Sequence, residues 1–109
     1  MERRVVITGI GAITPIGNDV ESFWKNIKLG KCGIDEITYF DTENFDVKLA
    51  AEIKEYDPEK YFDRKESKRL ERFSQYALIA AREAWKDSKL QKEQEDMERV
   101  GIILGSGIG

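Results

Sequence analysis

Val5, Val6 and Ile7 follow one another with no polar residue between them and run straight into Thr8-Gly9-Ile10-Gly11-Ala12-Ile13-Thr14-Pro15-Ile16-Gly17-Asn18. An apolar run without alternation predicts a strand covered on both faces, as in the middle of a parallel sheet. The remaining segments then have to cover it. Gly9, Gly11 and Gly17, with Pro15, permit a tight exit from the sheet. In open α/β sheets, ligands and chemistry gather at such strand ends. A dinucleotide site fails on spacing: the third glycine of a Gly-x-Gly-x-x-Gly turn would fall on Thr14, and Pro15 stands where the helix should already be running.

A second apolar run, Val100-Gly101-Ile102-Ile103-Leu104-Gly105, predicts another central strand. Two such strands cannot cover each other with the few helices that 109 residues provide. The expectation is therefore the N-terminal part of a longer polypeptide.

Composition narrows the chemistry. The chain is 40% hydrophobic and 36% charged, as expected for a soluble globular piece. No apolar run approaches a membrane span, and Met1-Glu2-Arg3-Arg4 lacks a signal-peptide core, so no membrane is expected and the cytoplasm is the simplest address. A net charge of −3 gives no support to general nucleic-acid binding. One cysteine, Cys32, excludes an internal disulfide, and the absence of histidine excludes His-based metal sites and Ser-His or Cys-His catalysis within these residues. Cys32 has Lys31 beside it but no base to activate it, and reads as an ordinary loop residue rather than a nucleophile.

Asn18 is the expected N-cap of a first helix starting at Asp19, with Glu21 at the third helical position. Val20, Phe23, Trp24 and Ile27 form its apolar face, and Gly30 ends it. Residues 34–44 read as an ordered loop, and Val47, Leu49, Ala51 and Ile53 as a peripheral strand with one wet face. Asp57-Pro58 opens a short helix through Tyr61 and Phe62. Asp63, paired with Glu66, opens the longest helix, on which Leu70, Phe73, Ala77, Ala80, Ala81 and Ala84 make an alanine-rich stripe suited to close packing. Residues 87–98 read as a solvated connection.

Between Arg64 and Arg72 there are five basic residues against two acidic ones. On one continuous helix Lys65, Lys68, Arg69 and Arg72 share a face, with two like-charge i,i+4 pairs and cations in a first turn that disfavours them. An acidic partner would relieve this, whereas a plain solvated face would not. No aromatics are interleaved, which argues against single-stranded nucleic acid.

Taken together, the Val5–Gly17 opening, Arg64-Lys65-Glu66 with the helix after it, and the closing Gly105-Ser106-Gly107-Ile108-Gly109 resemble the β-ketoacyl-acyl-carrier-protein synthases, most closely the elongating type II enzymes. The resemblance runs end to end and keeps the family's motif order. It implies an α/β, thiolase-like layered αβαβα fold, of which residues 1–109 would be the N-terminal part, truncated before the catalytic residues. It implies an acyltransferase that condenses an acyl thioester with malonyl-acyl-carrier-protein, working as a homodimer without a cofactor. The family's nucleophilic cysteine and two histidines would lie downstream, leaving no catalytic residue here and this piece inactive alone. By the same resemblance Lys65, Lys68 and Arg69 would receive the acidic acyl carrier protein. Ile108, on pattern alone either a core residue or one projecting into a cavity, would line the acyl pocket near the dimer interface. The alternatives are a polyketide ketosynthase, a chain-length factor lacking the nucleophile, or a non-catalytic carrier-protein binding module.

Overall fold

The first helix forms where Asp19 accepts the amide of Ser22 at 2.7 Å, one residue later than the sequence suggested. Asn18 is diverted, its side-chain amide donating to the Lys54 carbonyl at 2.9 Å, so the cap falls to Asp19. The computed structural model describes residues 2–108. In order these carry α1 (Val20–Lys28), β1 (Asp35–Glu36), β2 (Leu49–Ala50), a 3₁₀ turn (Pro58–Lys60), α2 (Arg64–Arg69), α3 (Arg72–Ser88) and two further 3₁₀ turns, Lys92–Gln94 and Met97–Arg99. Gly30, at φ +67°, closes the end of α1 as expected. Val20 and Phe23 turn inward, but Trp24 and Ile27 of the same stripe remain exposed.

The two expected central strands do not form among the described residues. Residues 2–13 and 100–106 belong to no helix or strand, with Ile7 85% and Ile103 101% exposed. A strand needs neighbours for its amides and carbonyls, and neither run meets one. The only sheet among the described residues is β1 against β2, antiparallel, pairing Asp35 with Ala50 and Glu36 with Leu49. The expected alternation is not kept, because Val47, Leu49 and Ala51 are exposed as well as Lys48 and Lys54, while Glu52 and Ile53 are both half-buried.

The close-packed contact lies between the Gly9–Ala12 segment and α3. A Cβ at Gly9 would strike the Ala84 carbonyl oxygen, and one at Gly11 the Ala80 carbonyl oxygen, so Ala80 and Ala84 do let the helix approach as the small-residue stripe implied. Two carboxylates on the same side of α3 secure this approach. Glu83 accepts the Ala12 amide at 2.9 Å and the Val20 amide at 3.1 Å, the latter being the first residue of α1, and Asp87 accepts the Ile10 amide at 3.1 Å. Beyond this contact α3 is largely open to solvent, with only Gln75 and Ile79 on it buried. Phe62 completes the small core, with the Arg82 guanidinium 4.8 Å from its ring centre.

The radius of gyration is 17.3 Å, against about 13 Å for a compact domain of ~100 residues. The chain spreads over 59 × 37 × 25 Å with both apolar runs uncovered.

Candidate functional site

Asp63 is the N-cap of α2, accepting the Glu66 amide at 2.8 Å, as the Asp63–Glu66 spacing indicated. The helix then ends early. Leu70 is extended at φ −94° and ψ 130°, and α3 restarts at Arg72, so the single long helix is two. This break divides the basic cluster. Lys65, Lys68 and Arg69 stay together on α2 and are exposed, while Arg72 belongs to another helix.

Two parts of the charge argument change with it. Lys68 and Arg72 are no longer an i,i+4 pair, and Lys68 and Arg69 lie in the last turn of α2, where the helix dipole favours cations. Lys65 and Arg69, and Arg64 and Lys68, remain like-charge i,i+4 pairs on one helix. The repulsion that called for an acidic partner is therefore smaller than a continuous helix would carry. What remains is four exposed cations on six residues, Arg64, Lys65, Lys68 and Arg69, with no intervening aromatic.

Arg72 has a different task. Its guanidinium carbon stands 5.5 Å from the Tyr39 ring centre and 5.0 Å from that of Tyr56, and Nη1 donates to the Tyr76 hydroxyl at 3.5 Å. That hydrogen bond, ahead of all other influences, pushes the guanidinium pKa further up. Desolvation is the main cause raising the Tyr39 and Tyr56 hydroxyls above the usual tyrosine range. At Glu52 desolvation pulls upward too, but the Thr38 amide and hydroxyl, the Tyr39 amide and nearby Lys54 together outweigh it and hold the carboxyl below its ordinary range. These groups line a cleft of about 660 Å³ between β2 and the start of α3, which Arg72 and the two tyrosines partly close.

The hydrogen bonds that hold α2 come from Gln75, only 3% exposed. Its Nε2 donates to the carbonyls of Ser67 and Leu70, each at 2.9 Å, and its Oε1 accepts the Tyr56 hydroxyl. Three partners leave the amide one orientation, because both carbonyls require the NH₂ end. The sequence reading missed Gln75, which lies one residue outside the alanine-rich stripe; a glutamine between Ser74 and Tyr76 carries no motif to announce it.

Cys32 is exposed in a loop, its sulfur 4.0 Å from the Ile34 carbonyl, in a cleft of about 420 Å³ shared with Lys31, Asn26 and Ser22. Asp35, Lys54 and Glu55 line the same cleft. Ile108 is 98% exposed and lines neither of the two clefts described above. It is not a core residue here.

The family model for the β-ketoacyl synthase N-terminal domain matches residues 2–109, the chain from end to end. The chain belongs to the β-ketoacyl synthase family. It is 51% identical over 107 residues to a 3-oxoacyl-[acyl-carrier-protein] synthase 2 of Staphylococcus aureus (strain COL), covering 98% of this chain and 26% of that protein. A synthase of the same name from Coxiella burnetii (strain RSA 493 / Nine Mile phase I) is 43% identical over 108 residues, covering 99% of this chain and 26% of its own length. Among solved structures, the ishigamide ketosynthase/chain length factor superposes with a TM-score of 0.75 at 36% identity, over 85% of this chain and 23% of that one. The chain thus spans about a quarter of the length of the relatives it matches. A β-ketoacyl synthase N-terminal domain and a ketosynthase neighbour place the backbone in the thiolase-like class even though its central strands are unladdered here.

Proposed function

We propose that this chain is the N-terminal portion of a 3-oxoacyl-[acyl-carrier-protein] synthase that elongates fatty acyl chains, and that α2 is where the acyl carrier protein docks. In such an enzyme a cysteine thiolate attacks the carrier-bound acyl thioester and expels the carrier thiol. Malonyl-carrier-protein then loses carbon dioxide, and the resulting carbanion attacks the acyl-cysteine carbonyl, forming the carbon–carbon bond and releasing the cysteine. Those reacting groups are assigned to residues beyond this chain, which contains no histidine. The layered αβαβα arrangement, cytoplasmic location and homodimer belong to the same proposal. Within it, Val5–Ile7 and Ile102–Leu104 are inner strands that the rest of the protein covers, which accounts for their exposure and for the 17.3 Å radius of gyration.

The observation that carries the docking assignment is the exposure of Lys65, Lys68 and Arg69 together on α2, with Arg72 on the next helix and against the Tyr39 and Tyr56 rings. Exposed cations clustered on one short element suit an acidic protein surface better than an extended polyanion. The test is charge reversal of Lys65 and Arg69 together in the complete enzyme. The KM for acyl carrier protein should rise roughly tenfold and its salt dependence flatten. Unchanged kinetics would remove the assignment.

The second reading, a polyketide ketosynthase or chain-length factor, is favoured by the name of the solved neighbour. The higher identity to the fatty-acid synthases, 51% against 36%, supports the first. Acyl-enzyme formation by the complete protein separates a synthase from a chain-length factor, which has no nucleophile to acylate.

A further inference from the structure

The break after Arg69 leaves α2 six residues long, too short to hold its own direction. Its last carbonyls lose the amides that a continuous helix would supply, and no glycine or proline closes the end. Gln75 supplies what is missing. From the first turn of α3 its NH₂ group bridges Ser67 and Leu70, and its carbonyl ties both helices to Tyr56 on the segment before the Pro58–Lys60 turn. Leaving these carbonyls unpaired at a half-buried site would favour rotation of α2 away from α3. Arg72 braces the same junction from the solvent side through Tyr39, Tyr56 and Tyr76.

The geometry points to Gln75 as the positioning residue of the carrier-protein docking surface: it fixes the direction in which α2 presents Lys65, Lys68 and Arg69. This rests on the docking reading above and deepens it. Gln75 touches no substrate, so its effect passes through the orientation of α2 alone. A rigidly aimed cluster loses less freedom on association than a swinging one, so its loss weakens capture of the carrier without altering the chemistry that follows.

The test compares two donors in the complete enzyme, one acyl group carried on acyl carrier protein and the same acyl group on a carrier-free thioester. Gln75→Met keeps the bulk and removes every hydrogen bond, and Gln75→Glu keeps the acceptor for Tyr56 but loses both donors. Both variants should raise the KM for the carrier-borne donor roughly three- to tenfold with kcat retained, and leave the carrier-free donor at wild-type values. Amides 64–70 should exchange hydrogen faster. Equal losses with both donors, an unchanged carrier KM, or failure of both variants to fold would make Gln75 a residue of the core only and overturn the inference. Charge reversal at Lys65 and Arg69 is measured beside them. If reversal raises the carrier KM and the Gln75 variants do not, positioning alone falls; if reversal has no effect, the docking reading falls and takes this inference with it.

Discussion

Gly11 lies so close beneath α3 that a Cβ there would overlap the carbonyl oxygen of Ala80 and come within 2.9 Å of the Ala84 amide nitrogen. Both neighbours are backbone, which cannot move aside as a side-chain tip can. Gly11→Ala should therefore destabilise the complete protein by roughly 1–3 kcal/mol, the range for overpacking a tight contact. Thermal unfolding of the Gly11 variant at the wild-type midpoint would contradict the close approach.

Glu83 joins segments far apart in sequence by taking the Ala12 and Val20 amides on one carboxylate. The Val20 amide is one of the unpaired donors at the start of α1, where a negative group is also favoured by the helix dipole. Glu83→Ala should cost roughly 1–3 kcal/mol, and Glu83→Gln, which keeps one acceptor oxygen, should recover part of it. Denaturant unfolding gives the cost, and hydrogen exchange at Ala12 and Val20 locates it. Loss of stability without faster exchange at these amides would assign the effect elsewhere.

Capping, turn and close-packing features were legible because their causes are local. Asp63 with Glu66, Asp57 before Pro58, Gly30 and the Ala80–Ala84 stripe each declare their role within a few residues. Strand formation was not legible in the same way, because Val5–Ile7 and Ile102–Leu104 encode apolar surface but not the neighbour that pairs with it. The division of the basic helix was also hidden: no breaker stands at Leu70, and the groups that sustain the break, Gln75 and Tyr56, are 19 residues apart. Lys65, Lys68 and Arg69 could be found from charge spacing, whereas the departure of Arg72 depends on tyrosines at 39 and 56.

Arg72 separates stability from docking. Its two ring contacts are worth about 0.5–1 kcal/mol each, so Arg72→Ala should lower stability by roughly 1–2 kcal/mol while leaving the salt dependence of the carrier KM as it was. Lysine should not restore the loss, since it lacks the planar face that lies against the rings. The same surroundings set an alkaline limit. Desolvation, foremost, raises the Tyr39 and Tyr56 hydroxyls above the ordinary 10.0, so the folded chain keeps those protons longer than the unfolded one. Stability is thus fully present below that value and falls as pH rises through the raised folded values. The tyrosinate absorbance that Tyr39→Phe and Tyr56→Phe remove should arise above the ordinary value; removal of absorbance that arises at the ordinary value would contradict the claim.

Ile108 is the branched side chain in a run of small residues, Gly105-Ser106-Gly107-Ile108-Gly109, and nothing described in the structure covers it. An isoleucine left 98% exposed is worth about 1.5–3 kcal/mol if it can be buried, so the complete enzyme has reason to enclose it. Glycines on either side allow the backbone to pass close to whatever does so, and leave that one side chain to project. If it projects into the acyl pocket, as the family resemblance implies, its size limits the length of chain accepted. Ile108→Phe should then shorten the products of the complete synthase, with kcat/KM for long acyl donors falling well before that for short ones, and Ile108→Ala should lengthen them. An unaltered product profile together with lowered thermal stability would instead make Ile108 a packing residue, since filling or emptying a plain core site changes stability without sorting substrates by length.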